Sequence, residues 1–199
     1  MADDKRGRDK QARDAKRRQQ ARDLATELER REETEPPIDD AELDEFEEEL
    51  ERLEFPATGA EVVAAVGDRE VDSLEGTFPV AELIPDTDVV IFEAPAAVRA
   101  RVQRPTVAAA MKRIVEAADT YPKADFDTSQ REAYEKTVRE LKAIDADDED
   151  EGVRYITDWI VEKVHDKEQL PGSRAVRREA AKFCRQNGYQ VRNDDWLGI

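Results

Sequence analysis

The first 37 residues offer almost nothing that a core could bury, so whatever folds must be built from residue 38 onward. Residues 5–22 hold nine cations (Lys5, Arg6, Arg8, Lys10, Arg13, Lys16, Arg17, Arg18 and Arg22) against Asp9 and Asp14. Apolar side chains are nearly missing until Leu24 and Leu28. Good helix formers without an apolar face have no surface to pack. Glu35-Pro36-Pro37 then interrupts any helix. Residues 1–37 are therefore expected to be a charged arm, either disordered or an isolated helix.

This cationic arm belongs to an acidic chain, with 49 Asp and Glu against 32 Lys and Arg and a net charge of −17 in 199 residues. Such a charge favours solubility and makes the compact state repel itself. Screening reaches about 8 Å at 0.15 M salt and about 3 Å at 1 M, so molar salt removes most of that cost. The basic residues are mostly arginine, which is weakly hydrated and pairs with carboxylates through two parallel donors. Composition points to the cytoplasm of a salt-loving archaeon; the plainer alternative is an ordinary acidic, partly disordered protein. Cys184 has no second cysteine for an internal disulfide, which fits a reducing compartment. The start, Met1-Ala2-Asp3-Asp4-Lys5-Arg6, lacks a signal peptide's apolar stretch, and no apolar run reaches the roughly 18 residues of a membrane span. A soluble, cytoplasmic protein without membrane contact is expected.

Periodicity divides the rest into three parts. Residues 38–54 read as an acidic amphipathic helix capped by Asp39 or Asp40, with Leu43, Phe46, Leu50 and Leu53 on one stripe. Residues 55–122 read as a small α+β domain. Thr58 and Glu61 form a capping-box pattern, and Gly67 is a natural stop. Glu70–Asp72 and Thr77–Phe78 flank a turn at Ser73-Leu74-Glu75-Gly76. Val89–Phe92 suits a buried strand or a loop, and Pro95 and Pro105 suit the first turns of two helices, the second burying Val107, Met111, Ile114 and Val115. Residues 123–199 read as a helical unit with a winged-helix-like outline. Its helices are expected at 129–144 (capped by Ser129 with Glu132), 152–167, and 173–187 (capped by Ser173 and stopped by Gly188), followed by a short strand at 189–192. The acids from Asp145 to Glu151 read as a solvated linker. The expected fold is mainly α with minor β.

Three short motifs then carry a resemblance. Phe55-Pro56-Ala57-Thr58, Ile84-Pro85-Asp86 and Phe92-Glu93-Ala94-Pro95-Ala96-Ala97-Val98 resemble an uncharacterised haloarchaeal domain family over roughly residues 53–115. The resemblance implies a halophilic source and a cytoplasmic location. It brings no activity and no functional residues.

The sharpest candidate site is the last helix. Val176, Ala180, Phe183, Cys184 and Asn187 share one side; Arg174, Arg177, Arg178, Lys182 and Arg185 share the other. Residues 171–193 hold six cations and only Glu179 as an acid. Arginine presents a donor fork that matches phosphate, so DNA or RNA is the complementary partner. The alternative is pairing with acids of the same fold, such as the 145–151 run. The arm, with Arg13, Lys16, Arg17 and Arg18, is a second candidate, since arginine-rich segments order on nucleic acid; the plainer reading is a solvated tail. The 39–54 stripe offers a different role, docking on a protein partner.

No catalytic set emerges. His165 is the only histidine, so every acid–base scheme would depend on it, and a surface role near a helix end is expected. Cys184 falls on the apolar side and reads as an inert buried thiol. The 145–151 acids lack the spacing of a calcium loop, and no phosphate-cradling glycine loop is present. No metal and no cofactor are expected. The leading expectation is a non-enzymatic, nucleic-acid-associated protein, DNA- or ribosome-linked; the alternative is a protein–protein adaptor.

Overall fold

Capping residues and first-turn prolines set most of the helix starts. The computed structural model describes residues 38–189 except Asp125, Asp145, Ala146 and Asp148. Asp39 accepts the Ala41 N–H at 2.8 Å and opens α1, Asp40–Leu50. Thr58 and Glu61 form the reciprocal capping box that starts α2, Gly59–Val66, with Gly67 as its C-cap. Pro95 and Pro105 occupy the first turns of α4 (Pro95–Val102) and α5 (Pro105–Asp119). Their missing N–H groups would have no helical partner there.

Between these helices lie two small antiparallel pairings. β1 (Ala57–Thr58) pairs with β4 (Ile91–Phe92), so Val89–Phe92 supplies a very short strand. β2 (Glu70–Ser73) and β3 (Gly76–Pro79) form a hairpin in the register Val71↔Phe78 and Ser73↔Gly76. The Ser73 hydroxyl donates to the Gly76 carbonyl at 2.9 Å. Gly76 has φ +132°, which a side chain would oppose. The short α3, Val80–Leu83, follows. The fold is mainly α with minor β, as the periodicity suggested.

Two apolar cores share α5. The first gathers Leu43, Phe46 and Leu50 of α1 with Val62, Val71, Val80, Leu83, Ile84, Val98 and Val102, and takes Ala108 and Val115 from α5. The second uses Val107, Met111 and Ile114 on another face of α5. It adds Tyr134, Val138 and Leu141 of α6 (Thr128–Lys142) and Ile156, Ile160 and Val164 of α7 (Glu151–Lys167). Val176, Ala180 and Phe183 of α8 (Ser173–Asn187) complete it. Polar ties reinforce the junction. Arg101 meets Glu135 at 3.0 Å and Arg113 meets Asp158 at 2.7 Å. Glu75 at the hairpin tip accepts from Thr106 at 2.9 Å and pairs with Lys142 at 2.6 Å.

Several starts differ from the sequence reading. Asp127, not Ser129, caps α6, accepting the Gln130 N–H at 2.8 Å. Phe126 explains the shift: its ring lies 5.2 Å from that of Tyr134 and is overlaid by Arg131, which fixes the chain just before Asp127. Ser173 is the first helical residue of α8, and Gly172 takes the cap position without a side-chain bond. The acidic run is not simply a solvated linker. Asp147 is 6% exposed and accepts the N–H groups of Glu151 and Gly152, each at 2.8 Å, at the start of α7. A Cβ on Gly152 would sit 3.0 Å from the Asp147 carboxylate and 3.2 Å from Phe183, so glycine there admits the cap. The strand expected at 189–192 lies outside the described residues, apart from Tyr189.

Candidate nucleic-acid interface

The start of α8 is held by α6. The Pro171 carbonyl accepts from Gln130 Nε2 at 3.0 Å and from the Tyr134 hydroxyl. Burial raises the Tyr134 pKa above the ordinary tyrosine value, so its proton stays in place as a donor. At the far end Gly188, with φ +73°, lets the chain leave the helix. Val176, Ala180, Phe183 and Cys184 face the core as the periodicity requires, while Asn187, grouped with them by sequence, is exposed and bonds the Phe183 carbonyl at 3.0 Å. Burial, then the charge of Asp147, pushes the Cys184 thiol above its ordinary pKa, which disfavours a reactive thiolate.

On the opposite side, Arg174, Arg178, Lys182 and Arg185 are exposed. Their positions at i, i+4, i+8 and i+11 place them along one line, with steps of about 6 Å between the first three. Lys182 is paired: its ammonium donates to Glu179 Oε1 at 2.8 Å. Arg177 lies on the flank, half-buried and engaged within the chain. Arg174, Arg178 and Arg185 form no ion pair with any carboxylate among the described residues. Within the 145–151 run, Asp147 caps α7, Asp150 holds Lys142 at 3.0 Å and Glu149 meets Arg154 at 3.7 Å, while Asp145 and Asp148 lie outside the described residues.

Beside this ridge runs an aromatic flank. Tyr155 of α7 donates its hydroxyl to the same Glu179 oxygen at 2.6 Å. Its ring stacks on Phe183 with centroids 4.8 Å apart and planes 26° apart. One turn further along α7 lies Trp159, with Lys163 Nζ 6.0 Å from its ring centroid. Both Tyr155 and Trp159 are half-buried. Spacing alone does not single out these two rings, because it is equally that of core residues.

The other candidates fare differently. Arg13, Lys16, Arg17 and Arg18 lie outside the described residues. Leu43, Phe46 and Leu50 are at most 1% exposed in the first core, and Leu53 packs against it. The stripe read as a docking surface is thus covered by the chain itself, because Val62, Val71, Val98 and Val102 supply the apolar surface it needs. His165 is exposed, with Nδ1 3.1 Å from the Tyr121 hydroxyl and no carboxylate in the pair. The described residues hold no group of three or more His, Cys, Asp or Glu side chains arranged for a metal ion. No described helix is long and apolar enough to cross a membrane.

With this geometry in view, comparison with known families is informative about the first core. Residues 40–114 match a family of unknown function (DUF5789). The DUF5789 match overlaps the three resembling motifs and extends back over α1. Its span closely follows the first core, from Ile38 to Val115, so the acidic helix lies within the matching segment. The arginine ridge lies beyond it. No curated protein and no solved structure matches the chain.

Proposed function

We propose that this is a non-enzymatic protein of a halophilic archaeal cytoplasm that binds DNA or RNA, in transcription or on the ribosome. Arg174, Arg178 and Arg185 contact the phosphates, with Lys182 and Arg177 at the flank and the basic arm assisting. The observation that carries this reading is the set of three exposed arginines, aligned on one rigid helix, that meet no carboxylate among the described residues. Acids are plentiful among the described residues, yet none of them meets these three. Phosphate supplies the missing acceptors in the geometry that the guanidinium fork favours. Net charge and the preference for arginine over lysine support the halophilic assignment.

The test is retention on immobilised DNA and RNA in molar KCl. Arg174→Glu/Arg178→Glu/Arg185→Glu is expected to abolish retention, while the circular dichroism spectrum and the unfolding midpoint stay near those of the parent. Each arginine lost singly should reduce the salt dependence of log K by about one charge. Equal retention of parent and triple variant would overturn the reading.

A further inference from the structure

An anionic protein that binds a polyanion in strong salt needs more than charge. Salt that quiets the repulsion from the rest of the chain also weakens each arginine–phosphate contact. Stacking of a base on an aromatic ring involves no counterion release and survives such conditions. The rings therefore matter as much as the guanidinium groups.

We infer that the ligand is a single nucleic-acid strand, whose phosphates follow Arg174, Arg178 and Arg185 and whose bases lie against Tyr155 and Trp159. This rests on the nucleic-acid reading above and narrows it. Four observations support it. First, Tyr155 and Lys182 donate to one and the same Glu179 oxygen, at 2.6 and 2.8 Å, so the first ring stands at the edge of the ridge. Second, Tyr155 is stiffened from behind by Phe183, which in turn meets Tyr189 at 5.9 Å. A ring held in place loses little freedom when a base settles on it. Third, Trp159 follows at i+4 and so lies on the same line of α7, with Lys163 beside it, 3.7 Å from Asp166. Fourth, Arg174 and Arg178 stand about 6 Å apart along the helix and Arg185 about 10 Å further on, so the three lie on one line that a single backbone can track. A duplex would present its phosphates to the ridge but keep its bases stacked inside, leaving the two rings without a role. The shared chemistry covers single-stranded DNA and RNA alike.

The experiment titrates the full chain in molar KCl with oligothymidylate, oligouridylate and a DNA duplex of equal length, read by fluorescence anisotropy. Both single strands are expected to bind about tenfold or more tighter than the duplex. Trp159→Leu should lose about tenfold in single-strand affinity and leave duplex binding unchanged, while Trp159→Phe, which keeps a ring, should recover most of it. A second measurement does not depend on how Trp159→Leu folds: in a Trp196→Phe background, the remaining indole of Trp159 should be quenched by the single strands and not by the duplex. A preference for oligouridylate over oligothymidylate would assign the strand as RNA, and the reverse as DNA. Equal binding of single strands and duplex, or an unquenched Trp159, overturns the single-strand inference while leaving the phosphate ridge intact. Failure of every oligonucleotide to bind in an arginine-dependent way overturns both.

Discussion

α1 and α8 look alike as sequences: each is amphipathic, and each turns charges of one sign outward. Their charges meet different fates. The carboxylates of α1 are gripped by cations from the body. Arg69 holds Glu42 at 2.9 Å and also Glu49, and its guanidinium covers the Phe46 ring, 5.7 Å from the centroid. Arg99 holds Asp44, Glu47 at 3.1 Å and Asp40 at 3.4 Å. Hydrogen bonds donated to these carboxylates, Asp44 first and Glu47 next, outweigh desolvation and raise the Arg99 pKa above its ordinary value. On α8, Arg174, Arg178 and Arg185 have no such counterparts among the described residues. The acidic helix is thus fastened to its own fold by its charged side as well as its apolar one. The basic helix is fastened by its apolar side, while Arg174, Arg178 and Arg185 meet no carboxylate among the described residues. Outward charge of one sign therefore says little about a partner until its counter-charges are located.

The strongest way to break this comparison is through the apolar side of α1. Phe46 is fully buried, so Phe46→Ala should cost about 3–5 kcal/mol, read as a lower urea midpoint. If α1 were instead a detachable docking helix, the variant would unfold at the parent's midpoint. Phe183→Ala, in the second core, should cost a similar amount, because both helices bury their apolar faces against the same chain.

The stripe itself was legible, since Leu43, Phe46, Leu50 and Leu53 follow the helical repeat. What covers it was not. Periodicity defines a face, but the residues that meet this face, such as Val71, Val98 and Val102, are distant in sequence, and only the tertiary fold brings them near. The same limit explains Asp147. Within a run of acids every carboxylate looks solvated, and only Gly152, by lacking a Cβ, lets that one turn inward. Helix starts were legible where a single candidate stood, as with Thr58, Pro95 and Pro105. At Asp127-Thr128-Ser129 several capping residues compete, and packing of Phe126 on Tyr134 decides between them. For the site, helical periodicity separated the arginine ridge from the apolar side. That three arginines meet no carboxylate among the described residues, and that rings lie beside them, depends on neighbours from α7, which no spacing within α8 reveals.

A second, smaller contrast sets Arg69 against Arg178. Arg69→Ala removes charged hydrogen bonds to two partly buried carboxylates and uncovers the edge of Phe46. It should cost about 1–2 kcal/mol. Arg178→Ala removes no ion pair among the described residues and should leave stability within about 0.5 kcal/mol of the parent, yet weaken nucleic-acid retention. Paired urea titrations measure the first difference, and retention in molar KCl the second. Similar losses of stability in both variants would mean that α8 is clamped through its charges as α1 is.

The smallest effect comes from the one acid on the ridge, Glu179. Burial pushes its pKa upward, but hydrogen bonds from Lys182 and Tyr155 outweigh this and leave it below the ordinary carboxylate value. Tyr155 responds in the opposite sense: that hydrogen bond, helped by burial, raises its pKa above the usual tyrosine value. Because the folded pKa of Glu179 is depressed, its stabilising contribution is complete above the range in which an unfolded glutamate titrates. It fades as the pH falls through the lower folded value. Glu179→Gln should therefore unfold slightly before the parent at neutral pH, by less than Arg69→Ala, and the gap should close on acidification. Over the same range Arg178→Ala should keep a constant offset, since arginine does not titrate there. A gap for Glu179→Gln that persists in acid would mean that packing rather than charge holds Tyr155 and Lys182 together, and that the ridge borders a rigid polar edge instead of an ionic one.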